Sequence, residues 1–263
     1  MLGAIIGDII GSPYEGSSDK TKDFELLIPD CHPTDDSLMT IAVGCACVET
    51  GCRDEEDFKR VLANKMREIG LPRENAGFGS RFFQWLEDYE TEPYDGFTNG
   101  SAMRVSPVAW VAKDLEEAER LAKWSAEITH NHPEGIRGAQ AVAAAIYLAR
   151  NGADKEEIRE YIEENYYDLD FTLDEIRPSY RPDVTCAGSV PQAIVAFLEA
   201  EDFEDAIRNA ISLGGDGDTQ ACIAGAIAEA YFGIPEDLEE EIFDYIDADL
   251  QDYYWAYAEQ LYQ

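Results

Sequence analysis

Two short clusters of hard oxygen donors are the part of this sequence best suited to chemistry: Thr34-Asp35-Asp36 and, far along the chain, Asp216-Gly217-Asp218-Thr219. Each stands just before an apolar run of helical period, where one acid or hydroxyl is an ordinary helix N-cap. Capping accounts for a single residue per cluster. It leaves neighbouring carboxylates that repel one another unless a cation lies between them. Four carboxylates and two hydroxyls are the ligands that Mg2+, Mn2+ or Ca2+ take, and a poor set for zinc. Four negative charges match two divalent ions. An EF-hand loop starting at Asp216 fails, because its twelfth position is Ile227 instead of Glu. The expectation is a divalent-metal site, made by both clusters together and used in hydrolysis.

Other residues are open to two readings. Glu15, in Ser12-Pro13-Tyr14-Glu15-Gly16, is either a solvated loop acid or a group of the active site. The segment Asn99-Gly100-Ser101-Ala102-Met103-Arg104 is either a plain helix start or a run of small residues whose N–H groups cradle a pyrophosphate. Arg104 either meets that phosphate or pairs with an acid of the core. His130 and His132 flank Asn131 in a turn before Pro133. Asp8, alone on an apolar helix, satisfies polar neighbours in the core or supports the site from behind. A Ser-His-Asp mechanism lacks its Gly-x-Ser-x-Gly elbow.

The elements that must position these residues are helical. Residues 1–11 place Gly3, Gly7 and Gly11 four apart between isoleucines. Each glycine costs a helix about 1 kcal/mol relative to Ala, so the stripe predicts close packing against another backbone. Further helices are predicted from Asp36 or Ser37 to Thr50 with Gly51 as stop, from Asp54 to Gly70, over 78–89, and from Asp114 to Trp124. Others follow over 133–150, 155–166, 191–200, 203–212 and from Asp218 or Thr219 to 232, with an acidic helix from Pro235 and an aromatic tail helix over 250–262. Segments 91–107 and 171–188 read as irregular loops. Strand-like alternation is scarce, and there is no linker or repeat. Residues 1–263 therefore read as one compact, nearly all-α domain.

A net charge of −35 disfavours a nucleic-acid or anionic-membrane partner held by a basic patch. It would also repel an anionic substrate, unless bound metal inverts the local field. Cys31, Cys45, Cys47, Cys52, Cys186 and Cys222 sit in apolar settings without a Cys-x-x-Cys pair, as buried reduced thiols of a cytoplasmic protein would. The N-terminal stretch lacks the basic start of a signal peptide, and no stretch is apolar for long enough to span a membrane.

In order and combination, the motifs resemble the ADP-ribosylglycohydrolases over nearly the whole chain. The matching stretches are Gly3-Ala4-x-x-Gly7-Asp8-x-x-Gly11 with Glu15, Thr34-Asp35-Asp36, Asn99 to Arg104, Thr129-His130 and Gly214 to Thr219. Gly217 departs from the Thr, Ser or Ala of many relatives, and lies between ligands. The resemblance implies an all-α fold with a central binuclear metal cleft and two divalent ions, Mg2+ or else Mn2+, on Thr34, Asp35, Asp36, Asp216, Asp218 and Thr219. It implies Glu15, with Asp35, as the catalytic group that handles the attacking water. Asn99, Gly100, Ser101, Ala102, Met103 and His130 become substrate contacts. The implied reaction is release of ADP-ribose from an N- or O-linked acceptor on a protein side chain, nucleic acid or small molecule; a monomer is expected, though not from the resemblance. Some relatives are lens proteins, so a non-catalytic ADP-ribose binder or structural member is the alternative. The acceptor is not named by the sequence.

Overall fold

The computed structural model describes residues 1–17, 19–90 and 92–261. The first and last residues of two predicted segments, 91 and 262, lie outside them. The helices in chain order are α1 (Leu2–Gly11), α2 (Asp35–Thr50), α3 (Glu55–Gly70), α4 (Ser80–Glu87), α5 (Gly100–Met103), α6 (Ser106–Val111), α7 (Leu115–Glu127) and α8 (Pro133–Arg150). They continue as α9 (Lys155–Asn165), α10 (Leu173–Ile176), α11 (Cys186–Glu199), α12 (Phe203–Ile211), α13 (Gly217–Phe232), α14 (Glu236–Glu241) and α15 (Ala248–Leu261). Among the described residues extended pairing is limited to one bridge, Thr98 with Thr185. None of these helices is long and apolar enough to cross a membrane. All six cysteines are free and buried.

The centre of the fold is the pair α1 and α13. Every residue of α1 is buried, and its glycine stripe faces α13 without side chains between. A methyl group on Gly3 would run into the carbonyl of Gly225, one on Gly7 into the carbonyl of Ala221, and one on Gly11 would lie 2.5 Å from the Cα of Asp218. Close backbone approach is thus the use of these glycines, and it offsets their helix cost. Around this pair α2, α8, α11 and α12 pack their apolar faces, with Ile5, Ile9, Met39, Ile41, Phe197 and Phe203 all buried. α15 docks on α2 through Leu250, Tyr254 and Ala258.

The chain departs from the predicted elements in three places. The segments expected to be irregular contain α5 and α6 in one and α10 in the other. These pieces of four to six residues are too short to print a helical period. α11 starts at Cys186 rather than Pro191, because the Thr185 hydroxyl caps it by accepting from Gly188 N at 3.0 Å. Pro191 is then carried inside the helix, at the loss of one backbone hydrogen bond.

Candidate metal centre

Capping uses neither pair of acids. Thr34 is the N-cap of α2, its hydroxyl accepting from Asp36 N at 3.3 Å, so the carboxylates of Asp35 and Asp36 are not spent on the helix end. Asp216 occupies the N-cap position of α13 with no side-chain capping bond. Gly214, at φ +66°, turns the chain into this second cluster, a conformation that suits glycine.

The two clusters meet. The Thr219 hydroxyl donates to Asp36 Oδ2 at 3.2 Å, joining the start of α13 to the start of α2. One carboxylate oxygen from each of Asp8, Asp36 and Asp218 comes within 4.8 Å of the others, and so do oxygens of Glu15, Asp216 and Asp218. Two groups that share Asp218 suit two neighbouring cations. Asp36 Oδ1 is buried with no hydrogen-bond partner among the described residues. A buried carboxylate oxygen left unpaired is costly, and a cation would satisfy it. The residues present therefore fit a hard divalent metal: Asp36, Asp216 and Asp218 stand in these convergent groups, while Thr34, Asp35 and Thr219 stand in neither but line the same cavity and could complete the donor set.

The electrostatics agree. Burial, and then the charges of Asp218, Asp8, Asp35 and Asp216, hold the Asp36 carboxyl well above the carboxylate range. Asp218 is raised by burial and by Asp216. Burial, then Asp8 and Asp216, push Asp35 up to about 8. Without a cation these groups take up protons on folding. The sign follows from that: a raised folded-state value stabilises the fold below the unfolded value near pH 4, and the stabilisation is lost as pH rises toward about 8. The gap in melting temperature between Mg2+-loaded and EDTA-treated protein should therefore widen from pH 5 to pH 8. Screening at the cavity mouth holds the effect to about 2 kcal/mol, or roughly 4–8 °C. Scanning fluorimetry at both pH values checks this, and a constant gap contradicts it.

Asp8 is the functional residue whose role the sequence left undecided. It accepts from Thr34 N at 2.9 Å, the Thr34 hydroxyl at 2.6 Å, Ser37 N at 3.0 Å and the Ser37 hydroxyl. Four bonds on one buried carboxylate fix the first turn of α2, and with it the direction of Asp35 and Asp36. The signal was visible as a lone acid on a glycine-striped apolar helix.

The centre forms the floor of a cavity of about 410 Å³, a size ordinary for small-molecule sites. All six candidate metal ligands line it, with Ser12, Glu15 and His32 on one side and Thr98, Asn99, Gly100 and Met103 on another. Asn75 to Gly77, Gly79 and Val184 complete the wall. Glu15 is exposed at the rim, and partial burial together with the Asp216 charge raises its carboxyl. Asn99 Nδ2 donates to Asp216 Oδ2 at 2.6 Å and to Ser189 at 3.1 Å, so its side chain holds a candidate ligand in place.

Three expected substrate contacts lie elsewhere. Ser101 and Ala102 are fully buried behind the wall, where the Ser101 hydroxyl donates to Gly135 O at 2.7 Å. His130 is buried too, its ring nitrogens 2.8 Å from the hydroxyls of Thr98 and Thr129. Burial, then the charges of Arg104 and Arg81, push its pKa well down, so it stays neutral. It braces Thr98, which does line the cavity. Among the described residues Arg104 forms no ion pair with an acid, and its burial keeps it from a ligand in the cavity. It is wholly buried and donates to Ser125 O and the Thr129 hydroxyl. His132 caps α8 by accepting from Glu134 N at 3.0 Å.

The sequence pattern of the ADP-ribosylglycohydrolase family matches residues 1–263. The chain is 26% identical to ADP-ribosylhydrolase ARH3 of Homo sapiens, over 95% of this chain and 90% of that protein. It is also 26% identical to ADP-ribosylarginine hydrolase Tri1 of Pseudomonas putida, over 89% of this chain and 70% of that one. A solved ADP-ribosylglycohydrolase-related protein complex superposes with a TM-score of 0.71 at 22% identity, covering 99% of this chain and 94% of the other.

Proposed function

The chain belongs to the ADP-ribosylglycohydrolase family, and from that premise we propose that it hydrolyses the glycosidic bond joining ADP-ribose to an N- or O-linked acceptor, with two divalent cations, Mg2+ before Mn2+. The observation that carries this reading is the meeting of Thr34, Asp35 and Asp36 with Asp216, Asp218 and Thr219 on the floor of one cavity. When bound, the metal supplies positive charge that orients ribose hydroxyls and polarises water. The chain does the rest. Asp8 sets the angle of α2, and Asn99 holds Asp216. Glu15, at the rim, accepts a proton from the water that attacks the anomeric carbon as the bond to the acceptor breaks, and that proton is returned to the departing nitrogen or oxygen of the acceptor. Its raised carboxyl suits a general base. The carbon passes through an oxocarbenium-like state.

Product analysis tests the reading. Purified protein with Mg2+ and arginine-, serine- or nucleotide-linked ADP-ribose should yield intact ADP-ribose by mass spectrometry. AMP as the product would point to cleavage of the pyrophosphate instead, and binding of ADP-ribose without turnover of any of these substrates would leave a non-catalytic binder.

A further inference from the structure

Lys20 is a cation in an unusual setting. Asp and Glu number 55 in this chain against 20 Lys and Arg, so a lysine finds a carboxylate easily. Lys22, two residues on, does so with Asp205. Lys20 instead points its ammonium at main-chain oxygen, donating to the carbonyls of Arg177 and, at 2.9 Å, Tyr180. Burial, then the charges of Arg181 and Arg177, lower its pKa there. A place that disfavours positive charge is held by these two bonds, and bonds from a charged donor are the stronger kind.

The contact joins parts of the chain that are far apart in sequence. The stem of Lys20 crosses the turn before Asp216: a methyl group on Gly214 would lie 3.2 Å from Lys20 Cγ and Cε, and 2.8 Å from Ser17 O. The Gly16 N–H donates to Gly215 O at 3.0 Å. Tyr180, whose carbonyl Lys20 grips, presses its ring on the same turn, where a methyl group on Gly215 would lie 2.5 Å from Cε1. Its hydroxyl donates to Gly188 O and accepts from Gln220 Nε2 of α13 at 2.8 Å. Residues 14–17, the turn Gly214-Gly215 and the chain around Tyr180 thus close into one ring, with Lys20 as its charged link. Glu15 stands in that ring. Its side chain is exposed, so its backbone, more than packing, sets where the carboxylate lies, and an oxygen of it meets those of Asp216 and Asp218.

We infer that Lys20 is a positioning residue for Glu15: clasped on the carbonyls of Arg177 and Tyr180, it holds the Glu15 segment against the turn that carries Asp216. The inference rests on the proposed function, in which Glu15 handles the attacking water, and adds the contact that keeps it in place.

Hydrogen exchange and steady-state kinetics on the Mg2+-loaded full chain test it. In Lys20→Met the amide of Gly16 should exchange faster by about tenfold or more, because its bond to Gly215 O opens more often. In the same variant kcat should fall by about tenfold to a hundredfold with KM little altered. Lys20→Arg should recover most of both losses, and Lys22→Met should change neither. Wild-type kcat in Lys20→Met, or a loss that Lys20→Arg leaves unrepaired, overturns the assignment while the proposed function stands. Wild-type protein that releases no ADP-ribose ends the proposed function, and Gly16 exchange then decides the clasp alone: the wild-type rate in Lys20→Met overturns it, and a faster one upholds it.

Discussion

Asp218→Ala, or treatment with EDTA, should reduce release of ADP-ribose by about a thousandfold or more while leaving the helical fold in place. Asp218 belongs to both groups of convergent carboxylates, so its loss strips an oxygen from each. A divalent ion contributes several kcal/mol of charge stabilisation to such a reaction, and each 1.36 kcal/mol is a factor of ten in rate. The fold should survive because removing Asp218 also removes one source of the repulsion on Asp36. Rate assays before and after chelation, with circular dichroism on the same samples, check both halves. Full activity in EDTA would end the metal reading, and unfolding of the variant would make the site structural.

Gly7→Ala should destabilise the protein by about 3 kcal/mol or more, beyond the usual range for a single extra methyl in a core. The added carbon would fall on the carbonyl carbon and oxygen of Ala221 and near Cys222 N. These are backbone atoms of a buried helix, and no rotamer change can move them aside. For a domain of this size the cost corresponds to a fall of roughly 6–12 °C in melting temperature. Gly152→Ala is a useful contrast. A methyl there meets nothing within 4 Å, although the φ of +86° adds local strain, so its fall should be the smaller. Equal shifts in the two variants would show that close approach of α1 to α13 is not what Gly7 provides.

Much of this was legible in the residues themselves. The stripe Gly3, Gly7, Gly11 announced backbone contact because glycine in a helix otherwise carries only a cost. The two acidic clusters announced a shared site because one helix end can use only one cap, and the structure does bring them to one cavity. What the sequence did not disclose was which residue did the capping. Thr34 takes that role in α2, leaving both acids to the cavity, and such a choice depends on the packing of Asp8 beneath it. Residues 99–104 were harder still. A helix of four residues has no period from which an inward face can be read, so Asn99, Gly100 and Met103 could not be told from Ser101 and Ala102. His130 was assigned to the ligand, yet its neighbours Thr98 and Thr129 take up both ring nitrogens. Those partners come from separate segments, and only the folded chain brings them together.

The pairing of α1 with α13 also sets a condition on when the site can exist. Asp8, on α1, supports the first cluster, and Gly11, at the end of α1, abuts Asp218 of the second. Both half-sites thus take their position from α1, which leaves the ribosome long before α13 does. A nascent chain halted before residue 216 would hold Thr34, Asp35 and Asp36 without their counterparts, and its affinity for divalent metal should be low. High-affinity capture of the ions would then mark a chain whose first and late helices have closed on each other, and the metal would stabilise only molecules that had completed that step.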